Sequence, residues 1–159
     1  MKLNATTSRV LQSVAALVKP TPGPTRVLVV DDEEGVRRFV ARVLRNADYV
    51  VETAAGGAEA LESIDDGSTF DLIVSDVRMP GMSGPRFIEQ LRRHNADAKV
   101  LYLTGYHDQL FDERGTLWLD EVFLDKPCTV NGLLESVALL LTGHVGPVKP
   151  WHAFGRQQH

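Results

Sequence analysis

The feature that most constrains this sequence is a repeated alternation of a short aliphatic run with a stretch whose apolar residues recur every three or four positions. Arg26–Val30 reads as a buried strand, and Val36, Phe39, Val40, Val43 and Leu44 then line one face of a helix. The pair returns as Tyr49–Thr53 with Ala60, Leu61 and Ile64, as Leu72–Ser75 with Phe87, Ile88 and Leu91, and as Val100–Leu103 with a weaker stretch near 107–117. Val122–Leu124 then precedes a helix carrying Val130, Leu133, Leu134, Val137, Leu140 and Leu141 on one side. Five strand–helix units in about 115 residues are too few to close an eight-stranded barrel, which predicts an α/β fold, an open doubly wound five-stranded parallel sheet with helices on both faces.

Before the first strand, Lys19-Pro20-Thr21-Pro22-Gly23-Pro24 cannot sustain a helix or a central strand, because proline fixes φ and removes a donor. It reads as a linker. We therefore expect an N-terminal extension and linker over 1–25, one folded domain over 26–141, and a C-terminal tail over 142–159. Val10, Leu11, Val14, Leu17 and Val18 give residues 7–18 the pattern of a short amphipathic helix, and Trp151-His152-Ala153-Phe154 reads either as a small docking element or as a disordered end.

Charge follows the same division. All 21 acidic residues lie within 26–141, whereas five of the 17 Lys and Arg residues lie in the flanks, which leaves the central region at a net −9. Such a surface repels nucleic acid, so no direct nucleic-acid binding is expected. No uninterrupted aliphatic run is longer than Val137–Leu141, far below the roughly 20 residues of a bilayer helix, so no membrane span is expected. No export signal is legible, and the single cysteine, Cys128, cannot close an internal disulfide; both suit a reducing cytoplasm.

In an open parallel sheet the functional cleft lies beyond the carboxyl ends of the strands. Strand one ends in Asp31-Asp32-Glu33-Glu34, strand three in Asp76, strand four in Thr104 and strand five in Lys126-Pro127. Singly, each has a plain explanation: Asp32 as a helix cap, Asp76 as a turn residue, Lys126 as a solvated charge. Together they bring three carboxylates, a hydroxyl and an amine to one rim. Clustered carboxylates oppose one another's ionisation, and a hard cation such as Mg²⁺, with Mn²⁺ as the alternative, offsets that repulsion. A carboxylate nucleophile surrounded by positive charge and donors is the equipment for accepting a phosphoryl group. Glu33 and Glu34 open the first helix, where its dipole favours acids, and no chemistry is assigned to them.

Val29-Val30-Asp31-Asp32-Glu33, Asp76-Val77-Arg78-Met79-Pro80-Gly81-Met82-Ser83-Gly84, Leu103-Thr104-Gly105-Tyr106 and Asp125-Lys126-Pro127 together resemble the receiver domain of two-component response regulators, over roughly residues 26–141. The resemblance implies a flavodoxin-like strand order 2-1-3-4-5 and Asp76 as phosphoacceptor, supplied by a histidine kinase or a histidine phosphotransfer protein. It also implies Mg²⁺ held by Asp32, Asp76 and the backbone carbonyl of Arg78, with Asp31 holding a metal-bound water. Thr104 and Lys126 would bind the phosphoryl group, and Phe123, three residues before the lysine, would be the aromatic that reorients with Thr104. Gly105 and Tyr106 would neighbour the phosphate, and the bond before Pro127 is expected to be cis. The switching surface would be the fourth helix, fifth strand and fifth helix, about 105–141, and output would pass through a downstream protein or a homodimer.

Two kinds of receiver fit, those within hybrid histidine kinases and standalone regulators. The starting Met1 favours a standalone product. Two other functions compete. An Asp-nucleophile phosphohydrolase needs a second Asp two residues after the nucleophile on strand one, where Asp31 is followed by Glu33. A pseudo-receiver serving only as a binding module has no use for Asp31, Asp32, Asp76, Thr104 and Lys126 together.

Overall fold

The computed structural model describes residues 23–95, 97–105 and 121–143. Five strands, β1 (Arg26–Val30), β2 (Val50–Ala54), β3 (Leu72–Asp76), β4 (Lys99–Thr104) and β5 (Glu121–Asp125), form one sheet in the order β2-β1-β3-β4-β5 with every pair parallel. The described helices are α1 (Glu34–Asn46), α2 (Gly57–Asp65), α3 (Gly84–Leu91) and α4 (Val130–Thr142). The anticipated fold and strand order are both present. The expected helix near 107–117, the amphipathic stretch 7–18 and the 151–154 element lie outside the described residues.

Alternation along each strand divides the core into two layers. Leu28 and Val30 of β1, Ile73 of β3, and Val100 and Tyr102 of β4 pack with Ala60 and Ile64 of α2 and Phe87, Ile88 and Leu91 of α3. Val27, Val29, Leu72, Val74, Leu101 and Leu103 point the other way, onto Val40 and Leu44 of α1 and Leu133 and Val137 of α4. The inner strands β1 and β3 are thus apolar on both faces, the signature of a parallel sheet covered by helices. β5, at the edge, keeps only Glu121 fully buried. None of the described helices is long and apolar enough to cross a membrane.

Local signals set the helix ends. Ser83 caps α3 by accepting the Arg86 N–H at 3.4 Å, and Pro85 occupies the first turn, where its missing N–H has no helical partner to lose. Thr129 caps α4 by accepting the Gly132 N–H at 3.0 Å, and Gly143 closes it with φ +71°, a left-handed position that glycine adopts without strain.

Candidate functional site

The site is built from the loops that leave β1, β3, β4 and β5 on one edge of the sheet. Asp31 follows β1 directly and is almost fully buried. Its N–H donates to the Ala54 carbonyl at 3.2 Å, its carbonyl accepts from Arg37 Nη1 at 2.6 Å, and its Oδ1 accepts the Glu33 N–H at 2.8 Å. That last bond is an Asx-type turn tying the carboxylate to the backbone two residues on. Asp76 ends β3, also buried, with Oδ1 accepting the Arg78 N–H at 3.3 Å. The loop behind it is pinned by Val77 N–H to the Leu103 carbonyl at 3.2 Å and Gly84 N–H to the Val77 carbonyl at 2.9 Å. Ser75 Oγ donates to the Asp76 carbonyl at 2.9 Å. A Cβ on Gly84 would overlap that same carbonyl oxygen, so glycine is required there by close approach rather than by its φ.

Lys126 follows β5, its N–H donating to the Thr104 carbonyl at 2.8 Å, and the Lys126–Pro127 peptide bond is cis as expected. Its ammonium lies 2.9 Å from Asp31 Oδ2, 3.3 Å from Asp76 Oδ2 and 3.4 Å from Glu33 Oε1. The Glu33 contact has hydrogen-bond geometry, whereas the closer approach to Asp31 is an ion pair that leaves the buried Oδ2 without a formed hydrogen bond.

Electrostatics follow from this packing. Burial, and then the charge of Asp31, push the Asp76 carboxyl up from 3.8 to about 6, against the opposing pull of Lys126 and the Arg78 N–H. Burial alone would lower the Lys126 ammonium, but its contacts with Asp31 and Asp76 outweigh that and hold it above its ordinary 10.5.

Oxygens of Asp31, Asp32 and Asp76 all lie within 4.8 Å of one another, Asp32 being exposed and the other two buried. Hard carboxylate donors at this spacing, one of them a buried oxygen lacking a formed hydrogen bond, suit a small divalent cation such as Mg²⁺. Thr104 ends β4 buried beside them, and Gly105 is exposed with nothing within 4 Å of where a Cβ would stand. Arg78 is exposed. Phe123 is 37% exposed on β5, an edge position rather than a core one. Tyr106 lies outside the described residues. Cys128 is half-buried against the α1–α4 layer, and burial raises its thiol.

The Glu33 contact with Lys126 is the part of the site that the sequence did not announce. Glu33 occupies the N-cap of α1, yet its side chain caps no helical N–H and reaches instead to a residue 93 positions away.

A five-stranded parallel sheet in this order, with three carboxylates, a hydroxyl and an ammonium gathered at one edge, defines a receiver-type signalling domain. The chain belongs to the response regulator receiver domain family, whose model matches residues 27–138. It is 37% identical over 120 residues to the sensor kinase CckA of Brucella abortus (strain 2308), a match covering 75% of this chain and 13% of that protein. Against the chemotaxis protein CheY of Treponema pallidum (strain Nichols) it is 30% identical over 130 residues, covering 80% and 90% respectively. Among solved structures, the receiver domain of the hybrid histidine kinase CckA superposes with a TM-score of 0.63 at 36% identity, covering 74% of this chain and 99% of that one. CheY4 of Vibrio cholerae superposes at 0.65 with 34% identity, covering 75% and 100%. The chain spans only a small part of the Brucella kinase and 51% of the response regulator MprA of Mycobacterium sp. (strain KMS).

Proposed function

We propose that this protein accepts a phosphoryl group on Asp76 from the phosphohistidine of a histidine kinase or histidine phosphotransfer protein. The observation that carries this reading is one ammonium, Lys126, set 2.9 Å from Asp31 and 3.3 Å from Asp76, beside the three clustered carboxylates. An Asp76 carboxylate oxygen attacks phosphorus as the N–P bond of the phosphohistidine breaks. The imidazole keeps the bonding pair and takes up a proton, and Asp76 becomes an acyl phosphate. Lys126 and the Thr104 hydroxyl bind the transferred oxygens. Asp32, Asp76 and the Arg78 carbonyl would hold Mg²⁺, or Mn²⁺, with Asp31 holding a metal-bound water, and the ion would supply charge neutralisation at the phosphoryl oxygens.

On this reading the only chemistry catalysed is the domain's own phosphorylation and dephosphorylation, with Gly105 and Tyr106 beside the phosphate. The phosphoryl group draws Thr104 and Lys126 inward, Phe123 reorients, and the surface carrying β5 and α4 presents the change to a downstream protein or to a second copy. Residues 1–25 and 142–159 flank the receiver, and the setting is cytoplasmic. Intact-mass measurement with acetyl phosphate and Mg²⁺ tests it. One added phosphoryl mass on the wild type and none on Asp76→Asn is expected, and equal labelling of both overturns the assignment.

A further inference from the structure

We propose that Glu33 is a positioning residue for Lys126, holding the ammonium on the solvent side of the site and competing with a phosphoryl group on Asp76 for it. This deepens the phosphoacceptor reading and rests on it. A lysine ammonium has three N–H donors, and here three carboxylates stand within 3.4 Å of it. A phosphoryl group on Asp76 therefore meets an ammonium already surrounded by three carboxylates, and one partner has to yield.

The partners are not equally able to yield. Asp31 is buried and anchored through its side chain to the Glu33 N–H, and Asp76 is buried, held by the Arg78 N–H and is itself the site of attachment. The Glu33 side chain is 64% exposed. Water is at hand for its carboxylate when the ammonium leaves, so Glu33 is the partner released at least expense. Its backbone is nevertheless fixed, because the Glu33 N–H is tied to Asp31 and its carbonyl accepts the Arg37 N–H at 2.9 Å in the first turn of α1. The carboxylate thus returns to the same place when the phosphoryl group is lost.

The residue type argues the same way. Ser, Thr, Asp and Asn are the side chains that cap a helix well, and Glu is not among them. A glutamate at this N-cap makes no cap, but its longer side chain spans the distance to Lys126. The next residue supplies the contrast: Glu34 carries the same charge in the same turn and pairs with Arg38 at 3.4 Å.

The test compares Glu33→Gln, Glu33→Asp and Glu34→Gln with the wild type, in Mg²⁺, by two readouts. One is the rate of labelling by acetyl phosphate followed by intact mass, and the other is the affinity for beryllofluoride followed by 19F NMR. Glu33→Gln weakens the hold on Lys126, and Glu33→Asp keeps the charge but withdraws it by one methylene. Both are expected to label faster and to bind beryllofluoride more tightly by roughly two- to five-fold, the range of a partly exposed ion pair. Glu34→Gln removes one charge from the same turn without touching Lys126, and should match the wild type in both. Melting curves of the two Gln variants cancel any common effect of removing an acid from the helix start.

An unchanged Glu33→Gln overturns the proposal. So does an equal effect from Glu34→Gln, which would make the cause the general negative field, or a Glu33→Asp that behaves as wild type. Absence of labelling in the wild type, or labelling that survives in Asp76→Asn, overturns the phosphoacceptor reading and this one with it. Wild-type labelling confined to Asp76, together with indifference to Glu33, overturns this one alone.

Discussion

Lys126 and Asp76 come within 3.3 Å of each other although a whole strand separates their own. Asp76 ends β3 and Lys126 follows β5, so the lysine side chain crosses above the end of β4, over a lateral offset of roughly 10 Å at ordinary strand spacing. It crosses where Thr104 ends β4, and its backbone is bonded to the Thr104 carbonyl. Charge, hydroxyl and acceptor are therefore mechanically connected, and several measurable consequences follow from that connection.

Removing the cation leaves Asp31 and Asp76 facing each other in a buried site. Lys126→Ala is expected to destabilise the metal-free protein by about 3 kcal/mol at pH 7, since breaking a buried ion pair strands the partner charge. The loss should shrink on acidification as Asp76 takes up a proton. Denaturant titrations at pH 7 and pH 5 check this, and a loss that does not change with pH would refute it.

Asp76 itself has a pH signature. Its folded-state pKa of about 6 lies above the ordinary 3.8, so the folded chain binds a proton that the unfolded chain releases. The stability contributed by this group is complete below about pH 4 and is lost as pH rises through about 6. In metal-free buffer at pH 7, Asp76→Asn should therefore be more stable than wild type by about 1–3 kcal/mol, and the advantage should disappear near pH 4. An advantage of equal size at both pH values would rule out this origin.

On the proposed reading, Mg²⁺ would reverse the balance at the same carboxylates. Because a ligand that binds only the native state stabilises it by mass action, Mg²⁺ at ten times its dissociation constant should add about 1.4 kcal/mol. Asp32→Ala removes one of the three clustered oxygen donors and should abolish most of that gain. A melting temperature that still rises with Mg²⁺ in the variant would put the ion elsewhere.

Much of this site was legible because parallel strands deliver their last residues to one edge. Asp31, Asp76, Thr104 and Lys126 could be read from the ends of aliphatic runs alone, and the strand order came with the motif resemblance. Strand ends are less sharp: the sequence pattern carries Tyr49 into β2, but the strand runs Val50–Ala54, because the Tyr49 N–H still bonds back to the Leu44 carbonyl at the end of α1. Glu33 reads in the sequence only as an acid at a helix start, since its partner Lys126 lies 93 residues away and no local pattern encodes that contact. Gly84 was likewise opaque. A glycine before proline reads as a turn, and only the folded chain brings it against the Asp76 carbonyl.

That contact is testable. Gly84→Ala places a methyl group on the Asp76 carbonyl oxygen, where backbone rather than a flexible side chain has to move. The expected loss is about 1–3 kcal/mol, typical of overpacking in a rigid site, despite the better helix propensity of alanine. Thermal melts check the sign, and a stabilised Gly84→Ala would show that the β3–α3 loop yields easily.

The last prediction concerns transmission. A phosphoryl group on Asp76 brings new negative charge and strong acceptor oxygens to the edge where Thr104 and Lys126 stand, and it favours whichever arrangement brings those two closest. They lie at the ends of β4 and β5, and the Lys126 N–H is bonded to the Thr104 carbonyl, so inward movement of one backbone is felt by the other. β5 is the edge strand, and Phe123 on it is partly exposed. β2, at the opposite edge, is separated from β4 and β5 by β1 and β3. A bound group shifts a two-state equilibrium only by its differential interaction with the two states, so deleting the Thr104 hydroxyl should weaken coupling while Asp76 stays chemically competent. Thr104→Ala should therefore still gain a phosphoryl mass with acetyl phosphate and Mg²⁺ but respond weakly elsewhere. Hydrogen exchange with and without beryllofluoride makes the comparison. Wild type should change protection across residues 121–141 and little across 50–65, and Thr104→Ala should lose most of that response. A wild-type response confined to 50–65, or a full response at 121–141 in Thr104→Ala, would mean that the signal does not run through the Thr104 hydroxyl.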